Sequence, residues 1–274
     1  MLLRTEHLRL AAEHLDDAVR RLRPYGEAGI TFEVGELDDE LPEIQSWLAD
    51  LIDDPDWAAD FYNSYVEFVL AVALAIPAGG PTDNSGVERT GKGWQVRQGA
   101  PVVWFGDAHF DADLSLDAPL VVLGDLTVDG LLDDGDVDRS LLAVTGDVRA
   151  RAIHTGAFNL ALGDIEADVI VCFNSDGGLG AGGDIVADLF VQDQHSYDLG
   201  GELRVRVPVL DWLPDGSEVE DELTTDERLA LWLPADYAEE RDFDGETEVD
   251  IWRVLTEAAA GHSPVLARPR PEEE

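Results

Sequence analysis

The sequence predicts a mainly β protein: a short parallel β-helix of about five to six coils with helices on either side of it in the chain. Three observations predict it. Gly-Asp recurs at Gly106-Asp107, Gly124-Asp125, Gly146-Asp147, Gly163-Asp164 and Gly183-Asp184, with a degenerate copy at Gly201-Glu202. The glycine-to-glycine steps are 18, 22, 17, 20 and 18 residues, so the chain is self-similar at a period that marks a repeat architecture. Between the copies the hydrophobic rhythm is two, rich in β-branched residues, as in Leu126-Thr127-Val128 and Ile185-Val186-Ala187. Leucine-rich repeats would show an asparagine ladder, and helical repeats need a longer period with a 3.6-residue rhythm.

Each element follows from local pattern. Residues 1–100 predict a mostly α-helical N-terminal cap domain. Leu8, Leu15, Val19 and Leu22 recur at helical spacing, and Pro24 is expected to stop that helix. Ile30 to Val34 suits a short strand. A second helix is expected from Leu41–Pro42, with Ile44, Trp47, Leu48 and Leu51 on one side. A third runs from about Trp57 to Ile76 and is apolar all round beyond Phe68, the mark of a buried helix. Ala78 to Gly93 looks like a loop or linker.

Residues 101–208 are the predicted coils, each of three short strands joined by tight turns. Glycine would supply positive φ at the corner, and the aspartate after it would accept backbone N–H groups in the turn. Stacked aliphatics fill the interior, and coils of this kind are stable only when stacked. Gly177 to Gly183 would be a flattened corner rather than a phosphate loop, because a strand and not a helix follows it. Residues 209–274 form an acidic segment with short helices near Asp226–Leu233 and Val249–Ala260, the latter stopped by Gly261. Ile251, Trp252, Leu255 and Ala259 would share one side of it. The helical flanks are expected to cover both ends of the β-helix, with Trp47, Trp57, Trp212, Trp232 and Trp252 packing them there, a hot spot at a protein interface being the alternative role for any one of them.

The unit Val121-Val122-Leu123-Gly124-Asp125-Leu126-Thr127-Val128-Asp129-Gly130 resembles the bactofilin-like, "polymer-forming cytoskeletal" family of β-helices. It is similar in particular to acidic-tailed bacterial variants. Those join such coils to a tail with a short helix and a Gly-x-x-hydrophobic finish, here Asp242-Phe243-Asp244 through Gly261 to Leu266. The resemblance implies either self-assembly into a scaffold or, since some variants lie beside toxin genes, an immunity role. The likeness covers residues 101–208, touches the tail and leaves residues 1–100 out.

Composition narrows the function classes. The formal net charge is −41, from 59 acidic and 18 basic residues, and Lys92 is the only lysine. Such a surface repels nucleic acid and anionic lipid and draws in cationic partners, although a high-salt cytoplasm would select the same composition. The single cysteine, Cys172, excludes an internal disulfide framework, and with no signal peptide evident the expected compartment is the cytoplasm. The longest apolar run, Phe68 to Pro77, is too short to span a bilayer.

No catalytic residues, cofactor or metal site are expected. There is no Walker loop, no His-Glu-x-x-His and no Gly-x-Ser-x-Gly elbow. Cys172 would be a small core residue, and His154 and His195 fall at other phases of the coil. Asp133, Asp134, Asp136 and Asp138 cluster in the longest step; a solvated loop, a partner-binding spur and a calcium site all remain open for them, though the EF-hand order is missing. The sequence therefore predicts a non-enzymatic protein-binding module with a basic, toxin-like partner, an immunity or antitoxin-like protein. A bactofilin-like self-assembling scaffold and an acidic DNA mimic are the alternatives.

Overall fold

The computed structural model describes residues 1–27, 37–54, 56–58, 66–77, 86–99, 101–135, 140–174, 177–211, 223–240 and 247–270. The predicted strand at Ile30–Val34, and Asp136, Asp138, Trp212 and Asp242–Asp244, lie outside them.

The chain opens with helices α1 (Thr5–Glu27), α2 (Leu37–Asp53) and α3 (Val66–Ala75). Helix α1 continues through Pro24, which falls in its final turn, where losing one backbone bond breaks little. Helix α2 begins at Leu37, ahead of the Leu41–Pro42 start that its proline suggested. Helix α3 is buried on all sides, as its composition requires.

The middle of the chain is a β-solenoid of about six turns. Its strands are β1 (Val87–Arg89), β2 (Trp94–Val96), β3 (Val102–Phe105), β4 (Ala108–Phe110), β5 (Leu114–Leu116), β6 (Leu120–Leu123) and β7 (Leu126–Asp134). They continue as β8 (Leu141–Val144), β9 (Val148–Thr155), β10 (Phe158–Ala161), β11 (Ile165–Phe173), β12 (Gly178–Ala181), β13 (Ile185–Asp193), β14 (Ser196–Leu199) and β15 (Leu203–Leu210). The short strands β3, β6, β8, β10, β12 and β14 stack in parallel as one sheet, and the long strands stack as another.

After the first coil, whose β4 and β5 stay separate and both pair with β7, each coil has two strands rather than three. The long strand bends instead of turning. In β11, Ile165, Ala167, Ile170 and Cys172 face the solenoid interior, whereas Val169 and Val171 face outward. The inward phase shifts by one residue at the bend, and the parallel pairing runs through it. Interior side chains stack in register, as in Leu126, Val148, Ile165, Ile185 and Leu203. Gly178–Ala181 is a strand, not a corner: Leu179 points into the core and the glycines lie in the sheet between β10 and β14.

Pairing starts earlier than residue 101. β1, which falls within the stretch expected to be a linker, forms an antiparallel hairpin with β2 just beyond that stretch, and β2 pairs in parallel with β5. The helices flank the solenoid rather than plug its ends. Helix α3 lies across β6, β8 and β10, burying Val121, Leu141, Ala143 and Leu160. The N-terminal end is instead covered by antiparallel chain. Leu2 bridges Val102, the Leu3 N–H donates to the Pro101 carbonyl at 2.8 Å, and β1 borders the other sheet. An antiparallel partner satisfies edge groups that would otherwise template another strand.

After the solenoid come α4 (Thr225–Ala230), the antiparallel pair β16 (Ala238–Glu240) and β17 (Thr247–Val249), and α5 (Ile251–Ala259). Thr224 and Glu227 form a capping box on α4, and Gly261 at φ +81° ends α5. Helix α5 packs Val254, Leu255 and Ala258 against the outward valines of the long strands. Trp252, expected on that packed side, is instead 51% exposed. No described helix is long and apolar enough to cross a membrane.

Candidate functional site

The Gly-Asp repeat builds a carboxylate ladder. Asp107 Oδ1 accepts the Asp125 N–H at 3.0 Å, Asp125 accepts that of Asp147 at 3.0 Å, and Asp147 that of Asp164 at 3.0 Å. Asp164 then accepts from Asp184 at 2.8 Å, and Asp184 from Glu202 at 2.8 Å. Each aspartate thus binds the next coil rather than its own turn. The glycines do the same through backbone alone, from Gly146 N–H to Gly124 carbonyl up to Gly201 N–H to Gly183 carbonyl.

Positive φ does not explain these glycines. Only Gly106 of the series has it, at +82°, and open space surrounds it. At Gly124, Gly146, Gly163, Gly183 and Gly201 a Cβ would collide with the aspartate Oδ1 of the preceding coil. Glycine is required there for close approach, not for backbone freedom.

The result is a row of carboxylates at the coil spacing of about 4.8 Å. Like charges so close repel, and the row persists because each Oδ1 takes an N–H. The Asp164 N–H, followed by the Arg149 guanidinium, holds the Asp147 carboxyl below the usual carboxylate range against the opposing effect of partial burial. Arg149 bonds Asp147 at 2.6 Å and approaches Glu166 at 3.6 Å, and Arg204 bridges Asp184 and Glu202 at 3.0 and 3.1 Å. These arginines, with Arg151 and Arg206, line a shallow groove of about 590 Å³ on the face beside the ladder. Arg151 and Arg206 face Asp168 and Asp188. The groove is therefore charge-matched and offers no net positive site for an anion.

At the opposite corner, Gly135, Gly156 and Gly177 form a second column that makes room for rings from the next coil. A Cβ on Gly135 would come within 3.1 Å of the His154 ring, and one on Gly156 within 2.9 Å of Phe173. His154 Nδ1 lies 2.9 Å from Asp133 Oδ1, its ring stacks on Phe173 at 4.6 Å and 15°, and Trp252 sits over it at 4.4 Å. An aspartate–imidazole pair can orient a base. The strands place no thiol beside it: His154 pairs in register with outward Val171, and Cys172 points inward.

The acidic step is divided by the strand alternation. Asp133 is outward and partly exposed, so it remains available to a partner. Asp134 is 1% exposed inside the solenoid, which removes it as a partner-binding residue. Burial pushes its carboxyl well up, and the neighbouring Thr155 and Asn159 side chains only partly oppose this. Neither oxygen has a well-aligned hydrogen bond. Cys172 is buried as expected, with its thiol pushed up by burial and by Asp134. Among the described residues no group of three or more His, Cys, Asp or Glu is arranged to hold a metal ion.

The Asp133–His154–Trp252 cluster was not legible in the sequence. It depends on an irregularity between Val128 and Leu131 that brings Asp133 opposite His154, 21 residues on. The spacing of Gly135, Gly156 and Gly177 is the signal that could have found it. No family model, curated protein or solved structure matches the chain.

Proposed function

We propose that this chain is a non-enzymatic protein-binding module that engages a basic partner, in the manner of an immunity or antitoxin-like protein covering a cationic active site. The observation that carries the reading is the ladder from Asp107 to Asp184, carboxylates fixed at coil spacing by backbone bonds on a rigid frame. Fixed charges lose little entropy on binding, and a net charge of −41 accelerates encounter with a cationic protein. Of the arginines that line the groove, Arg151 and Arg206 are matched by Asp168 and Asp188 off the ladder, whereas Arg149 and Arg204 pair with Asp147 and Asp184, so the ladder's charge is offset only in part. Descent from the bactofilin-like group, in its acidic-tailed form, belongs to the same proposal and is supported by the Gly-Asp rungs.

The test is to purify the chain with the product of the adjacent gene and follow the mixture by sedimentation. A stoichiometric complex that dissociates as salt rises supports the reading; no complex at low ionic strength sinks it. Concentration-dependent growth of the chain alone would favour the scaffold instead. Against that alternative stands the antiparallel cover on the first coil, which head-to-tail stacking would have to displace. Displacement of a DNA-binding protein from DNA would favour the mimic.

A further inference from the structure

We propose that Trp252, which shares the His154 imidazole with Asp133, is a docking point for an arginine side chain of a protein partner; this rests on the basic-partner reading above. Trp252 is 51% exposed, more than either other exposed large hydrophobic residue among those described, Leu10 and Phe158. His154 packs against the Trp252 indole at 4.4 Å with the rings tilted by 60°, and is itself fixed by Phe173 and by Asp133. The indole and the carboxylate therefore touch the same imidazole and are positioned before any partner arrives. Asp133 Oδ1 takes the Gly135 N–H and His154, and Oδ2 has no hydrogen bond from a described residue. A guanidinium can lie flat on an indole face and donate in its own plane to a carboxylate.

The chain builds this same triad twice from its own residues. Arg253 lies 4.0 Å over the Tyr237 ring and donates to Asp236 at 2.6 Å. Arg89 lies 5.3 Å over Trp94 and donates to Asp111 at 3.1 Å. At Trp252 and Asp133 the aromatic face and the carboxylate are present, and no described arginine completes them. The surrounding negative charge selects a cation over an apolar side chain for that place. Guanidinium is favoured over ammonium because it stacks and is more weakly hydrated.

The experiment measures binding of fluorescent hexa-arginine and hexa-lysine peptides at low ionic strength by anisotropy. It uses the full chain, Trp252→Ala, Trp252→Phe, Asp133→Asn and the remote charge control Glu13→Gln. Trp252→Ala leaves the net charge unchanged, so long-range attraction is constant and any loss is local. The expected result is about 3- to 30-fold weaker binding of hexa-arginine to Trp252→Ala, with hexa-lysine little affected. Trp252→Phe should retain most of the affinity, and Asp133→Asn should lose more than Glu13→Gln. An unchanged urea midpoint for Trp252→Ala shows that its fold is intact. If hexa-arginine binds Trp252→Ala as tightly as the unmodified chain, the docking point is refuted while the basic-partner reading stands. If the unmodified chain binds neither peptide, both fall.

Discussion

Replacing Gly163 by alanine probes the ladder directly. The added methyl would overlap Asp147 Oδ1 and come within 2.9 Å of the Gly146 carbonyl carbon and oxygen. The side chain can swing away, but then the Asp147 bond to the Asp164 N–H, 3.0 Å long, is lost. A charge-assisted bond of this kind contributes about 1.5–3 kcal/mol. Pushing the two coils apart against backbone adds about 1–3 kcal/mol. Gly163→Ala should therefore cost about 3–5 kcal/mol, a large share of the roughly 5–15 kcal/mol by which an ordinary domain is stable. Asp147→Ala removes the same bond without the clash and should cost about 1.5–3 kcal/mol.

Because both substitutions lose one shared bond, the double variant should be more stable than the sum predicts, by about 1.5–3 kcal/mol. Urea unfolding with linear extrapolation measures all four corners of the cycle. Gly106→Ala, with open space around it and φ at +82°, is the control and should cost only the left-handed penalty of about 1–2 kcal/mol. Costs for Gly163→Ala and Asp147→Ala that add to within about 0.5 kcal/mol would refute the claim that this glycine exists to admit the aspartate.

Other expectations follow from the titratable groups. Burial raises the folded-state pKa of Asp134, so the folded chain holds this proton more tightly than the unfolded one. Its contribution to stability must fall as pH rises from 3.8 towards the folded value, and Asp134→Asn should raise Tm at neutral pH and remove that slope. Asp147 has the opposite sign. Its stabilising effect is present above 3.8 and is lost as pH falls through the lower folded value, so Asp147→Asn should flatten the acid limb of Tm against pH. Cys172 should resist thiol reagents in the native protein and react once urea unfolds it; rapid native labelling would contradict a buried thiol with a raised pKa.

The period of the Gly-Asp pairs was enough to determine the solenoid, because coil-to-coil pairing repeats one local geometry and writes it into the chain at each turn. The buried helix at Val66–Ala75 and the stop at Gly261 were legible for the same reason, since each is dictated by residues within a turn or two. Why glycine stands in the pair was not, because the colliding atom belongs to an aspartate 16 to 21 residues earlier in the chain. Only the tertiary structure decided which of Asp133 and Asp134 faces water, since one irregularity upstream sets the phase of the whole strand. It alone placed α3 and α5 on the flanks, where outward valines and leucines of successive coils form apolar faces that no single coil displays. Trp252 meets His154 for that reason too: two segments far apart in sequence become neighbours when a helix and a sheet each bury what the other leaves open.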